Sequence, residues 1–152
     1  MKQERDELKS LVEELYERCR SFDDEFCSRQ ISQEKWSVKE IFGHLVDSAA
    51  NNYQRFIRLQ EEKELSFPGY SPDWVKQIPY NSYPYAPLLS LWKEYNLLLC
   101  HIFSNLDPAS LGNVWTTPDG DLSLEFLVRD YISHLKLHIN HLEQRIRELE
   151  AG

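Results

Sequence analysis

The chain has 152 residues, enough for one domain with a substantial core, and we predict a single domain over residues 1–152. Its apolar fraction of 41% with only 5 Gly favours a helical globular protein and argues against a disordered chain. The 25 Asp and Glu against 17 Lys and Arg give a net charge of -8, which argues against nucleic-acid or anionic-lipid partners, because phosphates attract clustered positive charge.

The first predicted helix lies near the N-terminus, where apolar residues recur at steps of three and four. This spacing forms one apolar stripe with charged residues on the other faces, as in an amphipathic helix. Its members are Leu8, Leu11, Val12, Leu15, Tyr16 and Cys19. Phe22 and Phe26 either extend the stripe or close the turn that follows it.

The second predicted helix opens with Ser37-Val38-Lys39-Glu40, the pattern of a capping box, and extends to about Glu62. Its apolar face consists of Val38, Ile41, Phe42, Leu45, Ala49, Tyr53 and Phe56. Gly43 lies inside this helix, at a cost of about 1 kcal/mol relative to Ala. Gly43 either permits close packing beside His44 or is incidental.

A connection of about twenty residues follows, rich in aromatic residues and proline. It is either a crossover that spans the domain or a lid or pocket wall over a functional site, and the two readings are compatible. Within it, Ser71-Pro72-Asp73-Trp74 is able to start one short helical turn.

The third predicted helix begins near Pro87 and ends at Asp107-Pro108, and the fourth runs from about Ser123 almost to the last residue. The apolar stripe of the third helix contains Leu88, Leu91, Trp92, Tyr95, Leu98, Leu99, Ile102 and Phe103. Thr116–Asp121 between the two helices is a turn signal with a glycine. Four such helices predict an all-α four-helix bundle with a long crossover between helices 2 and 3.

Histidines give the chain its main chemical signal. His134 and His138 are four residues apart, so they share one helix face and can reach a single metal ion, while His44 lies in the second helix. The alternative is that these residues are core histidines bonded to backbone carbonyls. His141 leaves the apolar stripe and reads as outer-sphere or exposed, and His101 reads as solvated.

Two segments resemble the DinB/YfiT-like superfamily: Trp36–Ser48, followed by Arg55, and Asp130–Ile139. The resemblance covers nearly the whole chain and implies a four-helix bundle with a divalent metal on His44, His134 and His138. It also implies a homodimer, and for some members a transferase or isomerase activity that uses a low-molecular-weight thiol. The chain departs from the family at His141, where many members have Gln, so His141 could compete with His138 as a ligand.

A three-histidine site has open coordination positions, as catalytic sites do. Neutral imidazoles leave the charge of the ion uncompensated, which favours either hydroxide from a bound water or a thiolate from a bound thiol. Imidazole suits Zn, Ni, Fe or Co, and Mn stays a candidate. The predicted function is a metal-dependent hydrolase or thiol-dependent transferase acting on a small molecule. The alternative is a non-catalytic bundle that the metal stabilises and that binds a ligand or a partner.

Four polar residues near the histidines are further candidates. Asp47 either orients an imidazole or acts as a general base, and Asp130 has the same two possibilities with a lower expectation. Asn51 and Arg55 continue the His44 face, where they bind a polar or anionic substrate or form hydrogen bonds between helices.

Location and assembly are expectations from composition. No apolar run approaches the roughly 20 residues of a membrane span, and the charged start lacks the apolar stretch of a signal peptide. Three scattered cysteines fit free thiols in a reducing compartment, so we expect a cytoplasmic protein. Surplus aromatic surface favours a homodimer.

Overall fold

A computed structural model describes residues 1–152 and confirms the four-helix bundle. Its four long helices are α1 (Lys2–Cys19), α3 (Val38–Glu61), α5 (Tyr85–Asn105) and α6 (Leu124–Ala151). Two short helices, α2 (Asp24–Ser28) and α4 (Trp74–Gln77), and two 3₁₀ turns (Tyr80–Ser82 and Pro108–Ser110) lie in the connections. No helix has both the length and the hydropathy needed to cross a membrane.

The starts of α3 and α6 follow from local sequence. Ser37 accepts a hydrogen bond from the backbone N–H of Glu40, whose side chain accepts one from the backbone of Ser37, so the predicted capping box is confirmed. Ser123 caps α6 through the backbone N–H of Phe126. Helix α5 begins at Tyr85, two residues earlier than predicted.

Helices α3 and α5 run parallel, which explains the long connection between them. Phe42 packs on Trp92 near the start of both helices, and Phe56 packs on Phe103 further along both. The chain must therefore return along the full length of α3, about 36 Å at 1.5 Å per residue, before α5 can begin. The crossover reading is confirmed, and the predicted helical turn in it is α4.

Helix α6 runs antiparallel to α3, and α1 packs between α5 and α6. The antiparallel arrangement is seen where His44 meets His138 and Phe56 meets Tyr131. Because the two helices run in opposite directions, later residues of α6 lie beside earlier residues of α3. This arrangement brings both histidine segments to the same level of the bundle.

A small three-stranded sheet was not predicted from the sequence. Strand β1 (Glu64–Leu65) pairs parallel with β2 (Val114–Thr117), which forms an antiparallel hairpin with β3 (Gly120–Ser123). The hairpin turn fits the predicted turn signal, and Gly120 has a φ of 128°. Strands of two and four residues carry too little periodicity to be recognised, so tertiary pairing alone defines them.

Burial corrects one part of the predicted α5 stripe. Leu91 and Leu98 are 48% and 45% exposed, whereas Leu89 and Cys100, which were not predicted, are buried. Helix α5 is apolar around most of its circumference, so the sequence did not specify which apolar residues face inward. Phe22 and Phe26 form a separate contact with each other at α2. They do not extend α1.

Candidate metal centre

The side chains of His44, His134 and His138 converge between α3 and α6. One ring nitrogen from each histidine lies within 4.8 Å of the others, and the Nε2 atoms of His134 and His138 are 3.1 Å apart. The His44 ring centroid is 4.5 Å from that of His138 and 5.5 Å from that of His134. Two facing lone pairs at such a distance repel unless a proton or a cation lies between them, so the arrangement suits a shared ion.

The surroundings keep these imidazoles neutral. Burial lowers the pKa of His44 to about 4 and that of His138 to about 3, and the neighbouring imidazoles act in the same direction. Burial also lowers the pKa of His134, although the Asp130 carboxylate partly opposes this effect. Neutral imidazole is the form that binds metal, so near neutral pH all three rings are in the ligand form.

Two of the histidine ring nitrogens have no hydrogen-bond partner in the protein. His44 Nδ1 and His138 Nδ1 are buried and have no partner within the protein. Leaving a buried polar atom unpaired costs about 1–3 kcal/mol. Coordination of an ion through His44 Nδ1 would offset this cost, and the facing Nε2 atoms of His134 and His138 offer two further nitrogen ligands, so the residues fit a metal site.

Aromatic side chains flank the cluster, although the sequence did not single out Trp36 or Tyr70 for this role. The Trp36 ring lies 5.1 Å from the His44 ring and 6.4 Å from that of His141. The Tyr70 ring, from the crossover, lies 5.8 Å from the His44 ring. The crossover therefore also forms a wall of the site, as the second reading of that segment proposed.

His141 and His101 lie outside the converging set. The ring of His141 is 6.2 Å from that of His138, and the histidine nitrogens that converge come from His44, His134 and His138. His101 is exposed on α5, as expected from the sequence. The structure thus favours His138 over His141 as the third ring of the cluster.

Asp47 lies one turn after His44 and is only 6% exposed. Its Oδ1 accepts a hydrogen bond from the Tyr80 hydroxyl at 2.6 Å, while Oδ2 is buried without a partner. Burial raises the pKa of Asp47, and the Tyr80 hydrogen bond opposes that rise. No hydrogen bond joins Asp47 to the histidines, so the structure gives the carboxylate a crossover partner instead of an imidazole.

Gly43 allows Tyr80 to reach Asp47. A Cβ at position 43 would lie 2.2 Å from Cδ2 of the Tyr80 ring, far inside van der Waals contact. Of the two readings of Gly43, close packing is therefore the correct one, although the packed group is Tyr80 and not the histidine. No local sequence signal links these positions, because they are 37 residues apart.

The other two predicted residues make bonds within their own helix. The Asn51 amide lies 3.5 Å from the backbone oxygen of Asp47, and Arg55 Nη1 donates to Asn52 Oδ1 at 3.3 Å. Neither forms a hydrogen bond to another helix, contrary to one of the two expectations for this pair. Asp130, one turn before His134, is exposed.

Comparisons with known proteins agree with this architecture. The family model described as the DinB superfamily matches residues 1–142. A protein of Halalkalibacterium halodurans named "putative metal-dependent hydrolase" is 24% identical, covering 92% of this chain and 82% of its own. A Bacillus mycoides protein with the same designation is 23% identical, with 90% and 79% covered.

A solved structure has the same fold. It is YfiT from Bacillus subtilis, described as "a probable metal-dependent hydrolase with an unusual four-helix bundle topology". The TM-score is 0.82 at 20% identity, and the match covers 97% of this chain and 86% of YfiT.

Proposed function

Because the chain belongs to the DinB superfamily, we propose that it is a metal-dependent hydrolase of a small-molecule substrate. His44, His134 and His138 would hold the ion, with Zn, Ni, Fe or Mn as candidates. The observation that carries this proposal is the convergence of three neutral ring nitrogens from two antiparallel helices within 4.8 Å. The names of the relatives support the same reaction class.

The protein contributes orientation and proton transfer. When bound, a divalent ion on three neutral imidazoles keeps its charge and lowers the pKa of a bound water toward about 7, or that of a bound thiol. We assign Asp47 Oδ2 as the proton acceptor, because it is the unpartnered oxygen of a buried carboxylate beside His44. Tyr80 fixes the carboxylate through Oδ1, and Trp36 and Tyr70 restrict the access of bulk water.

The first experiment measures metal content and thermal stability in His44→Ala and His134→Ala. His101→Ala is the matched control, since His101 is an exposed histidine outside the cluster. We expect about one equivalent of metal per wild-type chain, retained in the control and lost in both cluster variants. No metal uptake after reconstitution with Zn, Ni, Fe and Mn would refute the proposal.

The second experiment distinguishes hydrolysis from its alternatives. The metal-loaded chain is assayed on a panel of esters and amides, with and without a low-molecular-weight thiol. Turnover without thiol, reduced in Asp47→Asn at unchanged metal content, supports the hydrolase. Turnover that requires the thiol would refute the hydrolase and support the thiol-dependent transferase. Bound metal that raises the melting temperature without any turnover would leave a metal-stabilised, non-catalytic bundle.

For assembly, we propose a homodimer through the outer face that α3 and α5 share. Leu91, Tyr95 and Leu98 follow one another at steps of four and three on α5. The Tyr95 ring contacts that of Tyr53 on α3 at 6.0 Å, and Ile57, one turn further, is 38% exposed. The two parallel helices thus present one continuous apolar face, whose burial favours association.

Light scattering tests the dimer with two matched leucine variants. Leu98→Glu places a charge in the α3–α5 face, whereas Leu137→Glu changes a leucine on α6 that is 65% exposed. We expect a dimer for the wild type and Leu137→Glu and a monomer for Leu98→Glu. A wild-type monomer at micromolar concentration would remove the proposal.

A further inference from the structure

Arg55 is a buried cation that forms no salt bridge within the protein. It is 5% exposed, and no carboxylate lies within 4 Å of its guanidinium. Buried charges in proteins are normally paired, because an unpaired one retains a large desolvation cost. Burial accordingly lowers the pKa of Arg55, and the charges of Tyr70 and Asp130 only partly oppose this. In a chain with a net charge of -8, the absence of a partner at this position is unusual.

The Arg55 guanidinium lies over an aromatic ring and has an unused donor. Its Cζ lies 3.8 Å from the ring centroid of Trp115, and the Trp115 indole N–H is itself anchored to the Phe67 backbone oxygen at 2.7 Å. Nη1 donates to Asn52, and Nε is buried with no acceptor. Stacking fixes the plane of an arginine and leaves its N–H edge for in-plane acceptors, the geometry that recognises carboxylate and phosphate groups.

Arg55 lies on the same face of α3 as His44. Positions 44, 48, 51 and 55 follow steps of four, three and four, so their side chains line one stripe of the helix. The two Cα atoms are about 16 Å apart along the axis, and the arginine side chain leans back toward His44. The Tyr70 ring contacts that of His44, and the Arg55 guanidinium partly opposes the rise in the pKa of Tyr70 that burial causes.

We propose that Arg55, stacked on Trp115, binds an oxyanion group of the substrate, a carboxylate or phosphate, while the reacting group of the same molecule lies at the three histidines. The separation of the two ends is on the order of 10–16 Å. This assignment deepens the proposed function and rests on it for the reaction at the far end. The binding of the anion itself is independent of the metal.

Nuclear magnetic resonance of the full-length chain tests the anion site directly. The Nε–Hε resonance of Arg55, assigned by its absence in Arg55→Lys, is followed during titration with acetate and, separately, with inorganic phosphate. Sodium chloride at equal ionic strength is the control. Each titration is performed on the protein as purified and after metal removal, so that an anion bound to the ion is distinguished from one bound to Arg55.

We expect saturable shifts of the Arg55 resonance with acetate, phosphate or both, before and after metal removal, and none with chloride. The more effective probe identifies the oxyanion class. Shifts that occur only when metal is present, or with neither probe, would overturn the proposal and leave Arg55 as a structural cation.

Variants separate Arg55 from general charge effects, with the Trp115 indole resonance as the readout. Arg55→Gln should weaken the binding of the more effective anion about tenfold or more. Arg55→Lys should weaken it less, because lysine keeps the charge but lacks the planar guanidinium. Arg58→Gln is the matched control, since Arg58 is exposed on the same helix and also lies over an aromatic ring, 5.3 Å from the centroid of Phe67. Equal weakening by Arg55→Gln and Arg58→Gln would contradict a specific site. Failure of the hydrolase assays alone would leave this result unaffected.

Discussion

Substituting Gly43 by alanine tests how the crossover is coupled to the candidate centre. Three atoms of the Tyr80 ring lie 2.2–2.4 Å from where the new Cβ would be placed. Restoring an ordinary contact of 3.4 Å from 2.2 Å requires a ring movement of at least 1.2 Å. That movement is directed away from α3, which also carries Asp47, so the 2.6 Å hydrogen bond from Tyr80 to Asp47 would exceed the normal hydrogen-bond range.

Opposing contributions decide the sign of the effect. Alanine gains about 1 kcal/mol over glycine in a helix interior. Overpacking costs about 1–3 kcal/mol, and losing a hydrogen bond to a buried carboxylate costs about 1.5–3 kcal/mol. We therefore expect Gly43→Ala to lower the free energy of unfolding by about 1.5–5 kcal/mol.

Urea unfolding monitored by circular dichroism measures this value, with Tyr80→Ala as the second background. Without the ring, nothing opposes the helix preference, so Gly43→Ala should stabilise the Tyr80→Ala protein by about 1 kcal/mol. The effect of Gly43→Ala on the free energy of unfolding thus changes sign between the wild-type and Tyr80→Ala proteins. A neutral or stabilising effect in the wild-type background would refute the close-packing argument.

Other predictions concern the histidines, a buried lysine and the hairpin. In the metal-free protein, the depressed pKa values of His44 and His138 contribute stability that is complete above about pH 6.5. Between pH 6.5 and 4, the free energy of unfolding should fall by up to about 1.4 kcal/mol per pH unit for each residue, because the unfolded chain binds protons that the folded chain does not. The midpoints of urea unfolding across this pH range measure the fall. Lys39→Met should lower the free energy of unfolding, measured with urea, by about 1–3 kcal/mol, because Lys39 is 1% exposed and its Nζ donates to Asp24 at 2.7 Å. An unchanged free energy would mean that packing alone stabilises this region. Gly120→Ala should lower the unfolding free energy by about 1 kcal/mol through its φ of 128°, without changing metal content.

Local periodicity predicted the helices well, because amphipathic stripes and caps are encoded within a few residues. The capping box at Ser37 and the helix start after Ser123 were both readable in this way. The three short strands were not, since each depends on partners more than 40 residues away or is too short to show a pattern. The prediction that Leu91 and Leu98 are buried was wrong, because α5 has more apolar residues than its buried face can hold.

The three histidines of the candidate site were predicted from spacing and from a family resemblance, and the polar residues on the His44 face followed from helical geometry. Whether these residues bind a metal or a substrate stays a prediction. The partners of those residues could not be predicted. Tyr80 on Asp47, Tyr70 on His44 and Trp115 on Arg55 all come from connections between helices.

The sequence by itself determined which residues are helical and which face of α6 carries His134 and His138. These properties depend on composition and on neighbours within one or two turns. Only the tertiary structure decided that α3 and α5 are parallel, and hence that a long crossover passes over the histidines and supplies Tyr70 and Tyr80. It also decided that Arg55 is buried against Trp115 without a salt bridge. Both outcomes depend on contacts between distant segments, whose free energy arises only when the whole bundle packs together.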